Sequence, residues 1–318
     1  MQSARIYQIF KMASIFSLML VLSQNQAQDD FDWWNEAHHY DGYTHWTNFI
    51  IYSPYYLGPN ALEVPYSQKG KVEQKGSFEL EGFYHTSGGD QTQNIKLSLY
   101  YPFFENRIAV EFYYVPLEFY QMDRQTILER RTRYLDGSGT AQGDFYFSTI
   151  IQLIRDKRFP DIALRMACRT ASGTDLGNAR FTDAPGYFFD LSGGKDLLMG
   201  REDHTLRLHA MAGFYSWQMN LPDNKQNDAI LYGAGLDLTL KKWYIHNALE
   251  GYIGYFGNQM VIVGDPVEPV PFKDRPMLYR LKAGHQFDRF DVSFGFHRGL
   301  QDFPYTSFSV GVRYVFEN

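Results

Sequence analysis

At 318 residues the chain can build one large domain or two ordinary ones, and its 24 Tyr and 26 Phe go with a mean hydropathy of only −0.38. High aromatic content at low mean hydropathy suits a barrel whose wall residues alternate between lipid and water. The formal charge of −6 comes without a basic block, which argues against nucleic acid as a partner, and the single Cys168 excludes a disulfide framework and any Cys-based zinc site.

The chain opens on Arg5 and Lys11, followed by the apolar run Met12–Leu22 and a polar stretch ending in Asn25-Gln26-Ala27. The run is too short to span a bilayer as a helix, and its flanks are those of an export signal, so residues 1–27 are predicted to be a signal peptide. No Cys follows it to carry a lipid anchor, and no later segment is long and apolar enough for a membrane helix. Cleavage after Ala27 would remove two cations and no acid.

Residues 28–75 have a different texture. Trp33, Trp34, His38, His39 and His45 are followed by Ser53-Pro54-Tyr55-Tyr56-Leu57-Gly58-Pro59, rich in turn formers and poor in strand pattern. They are expected to form an N-terminal periplasmic segment leading to the barrel, with tucking into it as an option.

From Gly76 to the end, residues 76–318, the pattern has period two. Phe308, Val310, Val312, Tyr314 and Phe316 alternate with Ser309, Gly311, Arg313 and Val315, and Phe290, Val292, Phe294 and Phe296 with Asp291, Ser293, Gly295 and His297. Ile230 through Leu240 alternates in the same way. Each such strand has one apolar face and one polar or glycine face, and the apolar one is assigned to lipid. About twelve segments are found, near 76–86, 92–103, 106–115, 144–154, 159–169, 185–192, 204–217, 229–241, 243–256, 276–286, 289–298 and 305–316, the sixth being the weakest. The fold class is all-β, a closed antiparallel transmembrane β-barrel of about 12 strands.

The connections agree. Short ones at Glu105-Asn106, Asp156-Lys157, Lys241-Lys242 and Asp288 alternate with long ones near 116–143, 170–184, 218–228 and 257–275. Outer-membrane barrels have short periplasmic turns and longer external loops. The connection at 193–203 is longer than this alternation wants. An even strand number leaves both termini in the periplasm.

At the end of the chain, Tyr314-Val315-Phe316 resembles the C-terminal assembly signal of outer-membrane barrels, although Glu317 and Asn318 follow where that signal usually stops. Tyr314 and Phe316 are its candidate residues. Trp33-Trp34-Asn35 with Ser53–Leu62 resembles outer-membrane barrel proteins of the Bacteroidetes. The resemblance implies the cell outer membrane as location, and lipid, lipopolysaccharide, the barrel assembly machinery and other outer-membrane proteins as partners. It implies no activity.

Parity puts Glu79, Glu81, Glu111, Asp190, Asp237, Glu250 and Asp291 on the inward face, with Lys96, Arg107, Arg165, Arg169, Arg207, Arg280, Lys282 and Arg313. Such residues either line a hydrated path or pair across a filled interior, because buried polar groups need partners. The two signs nearly balance, which favours weak ion selectivity. His38, His39 and His45 with Glu36 and Asp41 fit no standard metal spacing, and a solvated polar segment is the simpler reading, so no metal or cofactor is assigned. His246 and Glu250, four apart on one strand face, could form an acid–base pair but read first as lumen polarity. No Ser–His string or Gly-x-Ser-x-Gly elbow marks a hydrolase, and the chain is read as a non-enzyme. The external run Arg124, Glu129, Arg130, Arg131 and Arg133 reads as surface, with lipopolysaccharide phosphates as the sharper alternative. Two functions stay open: a narrow, weakly selective channel or transporter for small solutes, placed first, and a structural or accessory barrel with a plugged lumen.

Overall fold

The computed structural model describes residues 31–318 except 106, 156–157, 199–202, 220–225, 256–259, 267 and 317–318. The predicted signal peptide lies outside the described residues.

Twelve strands close into an antiparallel barrel. In chain order they are β1 (Gly76–Thr86), β2 (Asp90–Phe103), β3 (Ile108–Met122), β5 (Tyr146–Ile154), β6 (Asp161–Arg169), β7 (Gly186–Leu198), β8 (His204–Gln218), β9 (Gln226–Leu240), β10 (Trp243–Gly254), β13 (Met277–Gln286), β14 (Phe290–Gln301) and β15 (Thr306–Phe316). Each pairs with its neighbours in sequence, and β1 closes on β15 in an unbroken register from Gly76↔Phe316 to Thr86↔Thr306. A short strand β4 (Ser138–Ala141) extends the end of β3, and β11 (Met260–Val263) with β12 (Glu268–Pro271) forms a separate hairpin in the loop between β10 and β13. All strand edges of the barrel are paired, which a structure crossing lipid requires.

The alternation read from sequence holds on the wall. Phe308, Val310 and Val312 are exposed on the outer face, while Ser307, Ser309 and Gly311 are buried inside. Cys168 also faces outward. The rim carrying Gly76, Phe316 and the connections after β2, β5, β7, β9 and β13 is the short-turn, periplasmic rim of such barrels. The opposite rim carries the long loops.

Two elements differ from the expected strands, each for a tertiary reason. The weak segment at 185–192 is the start of β7, a full strand to Leu198, so the connection that looked too long is mostly strand. Gly193-Gly194 reads as a loop, yet a Cβ on Gly194 would collide with the Lys69 carbonyl and lie 2.8 Å from the Arg207 guanidinium. The glycine makes room for a chain passing inside. In β3, the strand continues past Pro116 to Met122, with a bulge opposite Lys96 where the register steps from Leu97↔Tyr114 to Ile95↔Leu117. The extra residue inverts the face, so Glu111 and Tyr113 point inward before it, and Glu118 and Tyr120 after it. Pro116 sits where a ladder donor is not needed.

Candidate functional site

The lumen is occupied by the protein's own chain. From Gly76 at the periplasmic rim, residues 75 back to about 51 climb the interior as an irregular strap, and residues 31–50 reach the loops of the far rim. The segment that the sequence reading assigned to the periplasm, or tucked into the barrel, therefore runs the height of the lumen. Val72, Val64, Leu62, Ala61, Leu57, Ile51 and Ile50 on it are all buried.

An irregular strap must satisfy its backbone from the wall, since it has no ladder of its own. At the periplasmic end Val72 N–H donates to Gln152 Oε1 at 2.8 Å, Gly70 O accepts from Gln152 Nε2 at 2.9 Å, and Arg155 donates to Val72 O at 2.6 Å. Above this, Arg207 donates to Lys69 O at 3.0 Å, and Ser67 N–H to Glu250 Oε1 at 2.5 Å. Higher still, Arg165 donates to Tyr66 O at 2.8 Å, Arg280 to Val64 O at 2.7 Å and Arg169 to Ala61 O at 2.5 Å. Four inward arginines thus hold four carbonyls of one short strap.

The same wall charges are paired among themselves. Arg165 meets Asp190 at 2.7 Å, Arg280 meets Glu250, and Arg313 meets Asp291. Lys282 meets Glu79 at 2.5 Å and lies 3.7 Å from Glu81, which also accepts from Ser309. Asp237 is flanked by Lys69 of the strap at 2.7 Å and by His246 at 3.1 Å. Lys96 pairs with Glu63 of the strap at 2.7 Å, Arg207 with Asp161 at 2.8 Å, and Glu111 accepts from Ser148. All the inward candidates are therefore engaged in the interior except Arg107. That residue precedes β3 and is exposed in the turn, because the strand begins at Ile108, two residues later than the expected 106. His246 and Glu250 have separate partners, Asp237 and Arg280, and do not form an acid–base pair.

A second buried network closes the outer third, and most of it was not legible in the sequence. Asp90 accepts from Arg130 at 2.7 Å, from Arg180 at 2.6 Å and from the Tyr305 hydroxyl at 2.7 Å. Arg180 also reaches Glu118, which accepts from Asn60 of the strap at 2.7 Å. Arg130 and Arg180 are loop residues folded into the mouth, with side chains 4% and 0% exposed. The run from Arg124 to Arg133 is thus not plain surface: Arg130 and Arg131 are buried, and the Arg133 guanidinium stacks 3.9 Å from Phe31 and 4.5 Å from Trp34. Charge runs in loops usually face water, and only the inward pull of Asp90 signals otherwise.

The cap at this rim centres on Trp34, fully buried against Phe49, Tyr40 and His38, with its indole N–H donating to Arg131 O at 3.0 Å. Burial beside Arg131 and His39 lowers the His38 pKa to about 4. Nearby, Asp274 is buried with Asn227 donating to it at 2.5 Å, and desolvation lifts its carboxyl to about 7, reinforced by Asp302. His39 and Glu36 are exposed and His45 bonds to Thr47. Among the described residues no three His, Cys, Asp or Glu side chains gather as metal ligands. Around Tyr66 and Arg280 the gap left between strap and wall is about 20 Å³, room for about one water.

No protein-family model matches the chain, and no curated protein matches it by sequence. Among solved structures, it is similar to an outer-membrane channel from Pseudomonas putida F1, with TM-score 0.51 and 12% identity over 80% of this chain and 100% of that one. It also aligns with the KdgM porin (TM-score 0.43, 12% identity, 75% of this chain and 99% of that one). The NanC porin aligns at TM-score 0.45 and 10% identity, over 74% of this chain and 98% of that one. Identities this low speak to fold alone. The closed twelve-strand architecture, a fold shared with the Pseudomonas putida channel, is that of a β-barrel of the outer-membrane type.

Proposed function

We propose that this protein is an outer-membrane channel for small solutes held shut by residues 51–75 of its own chain. The observation that carries the reading is the set of inward arginines, Arg165, Arg169, Arg207 and Arg280, spent on carbonyls of the strap. A water-filled pore would leave those groups hydrated. Each arginine also keeps a wall partner, Asp190, Glu250, Asp161 or the Ala184 carbonyl, so the strap takes up the donors those partners leave over, and a buried donor left unpaired costs about 1–3 kcal/mol. Displacing the strap would expose a wall of balanced acids and bases, and the path would then be weakly selective. A passive channel and a plugged barrel are in this reading two states of one object.

Planar-bilayer recording tests it. The intact protein should be closed most of the time. The double variant Arg165→Ala/Arg280→Ala should flicker open with little preference between anions and cations. Steady conductance from the intact protein would show that the strap does not seal the lumen. A variant lacking residues 28–72 that still folds, as judged by its heat-dependent mobility, and stays silent would leave the accessory-barrel reading in its place.

A further inference from the structure

Near the loop-bearing rim a notch of about 470 Å³ opens on the lipid side, lined by Gly82, Tyr84, Ile95, Leu117, Phe119, Phe294, Phe308 and Val310. Strand register arranges the surrounding residues in three outward tiers. The lowest runs Phe294, Val310, Gly82, Ile95, Leu117 across β14, β15, β1, β2 and β3. The next runs Phe296, Phe308, Tyr84, Gln93, Phe119, and the highest Arg298, Thr306, Thr86, Gln91, Gln121. Going outward, the wall therefore changes from an apolar hollow, to an aromatic ring, to a polar ledge bearing one cation.

Gly82 makes the hollow. Its backbone is ordinary strand, and a Cβ there would meet nothing within 4 Å, so neither conformation nor crowding demands glycine. Its neighbours across the strands, Ile95 and Val310, are 39% and 59% exposed, and the side chain missing between them leaves the space. At the top, Arg298 is exposed on the lipid-facing side and its guanidinium is held by the Thr306 hydroxyl. A cation facing lipid is costly unless it reaches an interface or an anion.

We propose that this notch binds one phosphate-bearing lipid of the outer leaflet, with an acyl chain in the hollow at Gly82 and the phosphate on Arg298. Charge complementarity selects this occupant: a neutral apolar ligand would leave Arg298 unanswered, and a free anion would leave the hollow unused. Gln91, Gln121 and Thr86 on the same ledge offer hydrogen bonds to a polar headgroup.

Native mass spectrometry of the full mature barrel in mild detergent tests the site with four probes: bisphosphorylated lipid A, its dephosphorylated form, phosphatidylcholine and inorganic phosphate. One lipid A should be retained per barrel. Losing the charge-assisted contact, by dephosphorylation or by Arg298→Gln, should weaken retention roughly tenfold. Gly82→Leu should displace the chain to a similar degree while the heat-dependent mobility shift stays unchanged. Equal retention by both variants and the intact protein, or equal retention of phosphatidylcholine, would overturn the proposal. Retention of inorganic phosphate that needs Arg298, alongside lipid A binding indifferent to Gly82→Leu, would mean an ion site and overturn it too.

Discussion

Arg280 reaches from β13 to two partners at once, the Glu250 carboxylate and the Val64 carbonyl, with the Tyr66 ring 3.8 Å from its guanidinium. Truncating it strands Glu250 inside the barrel, so Arg280→Ala should cost about 3–5 kcal/mol of stability. Lys282→Ala should cost less, because both Lys282 and its partner Glu79 keep some access to water. Unfolding midpoints in lipid vesicles check this, and equal midpoints for the two variants would mean that the lumen around Arg280 is hydrated. At the outer rim, His38 and Asp274 respond to pH with opposite signs. The His38 pKa falls from its ordinary 6.5 to about 4 on folding, so its stabilisation is present above the unfolded value and is lost as pH drops through that window. Asp274 rises from 3.8 to about 7, so its contribution is complete below the lower value and fades as pH climbs to neutrality. Hydrogen exchange should therefore show the Trp34 cap loosening in acid and the loop around Asp274 loosening toward pH 8. His38→Gln and Asp274→Asn should each flatten one response only. Unchanged exchange at Trp34 between pH 7 and pH 4 would remove the first claim.

At the level of the strand, β15 gives the sharpest test of facing. Val312→Arg puts a cation into lipid at a cost of roughly 2–4 kcal/mol near the midplane. Gly311→Ala points inward, where the nearest atom is the Ser293 hydroxyl oxygen at 2.8 Å, a group able to swing aside. Assembly yields should separate the two variants clearly, and similar yields would put the register off by one residue. Strands such as β15 were legible because lipid and water demand opposite residue types at every second position. Where a third environment intrudes, legibility ends. The bulge at Pro116 inverts the face within β3 and hides Glu118, and Gly194 looks like a loop because the strap passes against it. The strap has no period at all: its carbonyls are satisfied by arginines up to 216 positions away in sequence. Lumen-facing charges could be listed from parity, but that Arg165 and Arg280 would serve the strap could not.

For the molecule as a whole, closure of β1 on β15 leaves no open edge in the barrel wall among the described residues. The folded protein should run anomalously in unheated SDS and shift on boiling. A protein recovered from the soluble periplasm without such a shift would contradict the barrel. Stability and permeability should also be linked, since the groups that seal the lumen also neutralise its wall. Variants that weaken the strap should lose midpoint and gain leak together. A destabilised but silent Arg165→Ala would break that link.

The strap also changes how the chain's passages across the membrane are counted. Twelve strands return a chain to the side it started from, but the ascent from Gly76 through the lumen to Trp34 adds a thirteenth passage, so Phe31 and Phe316 stand at opposite rims. An epitope placed ahead of Phe31 should be stained by antibody on intact cells, whereas one placed after Phe316 should need permeabilised cells. To reach this arrangement the leading segment must be enclosed while the wall closes around it, or be drawn through afterwards. A bulky folded domain fused ahead of Phe31 could not follow it through so narrow a bore. Such a fusion should therefore stall assembly if threading comes last, and be displayed on the cell surface if the wall closes around the segment.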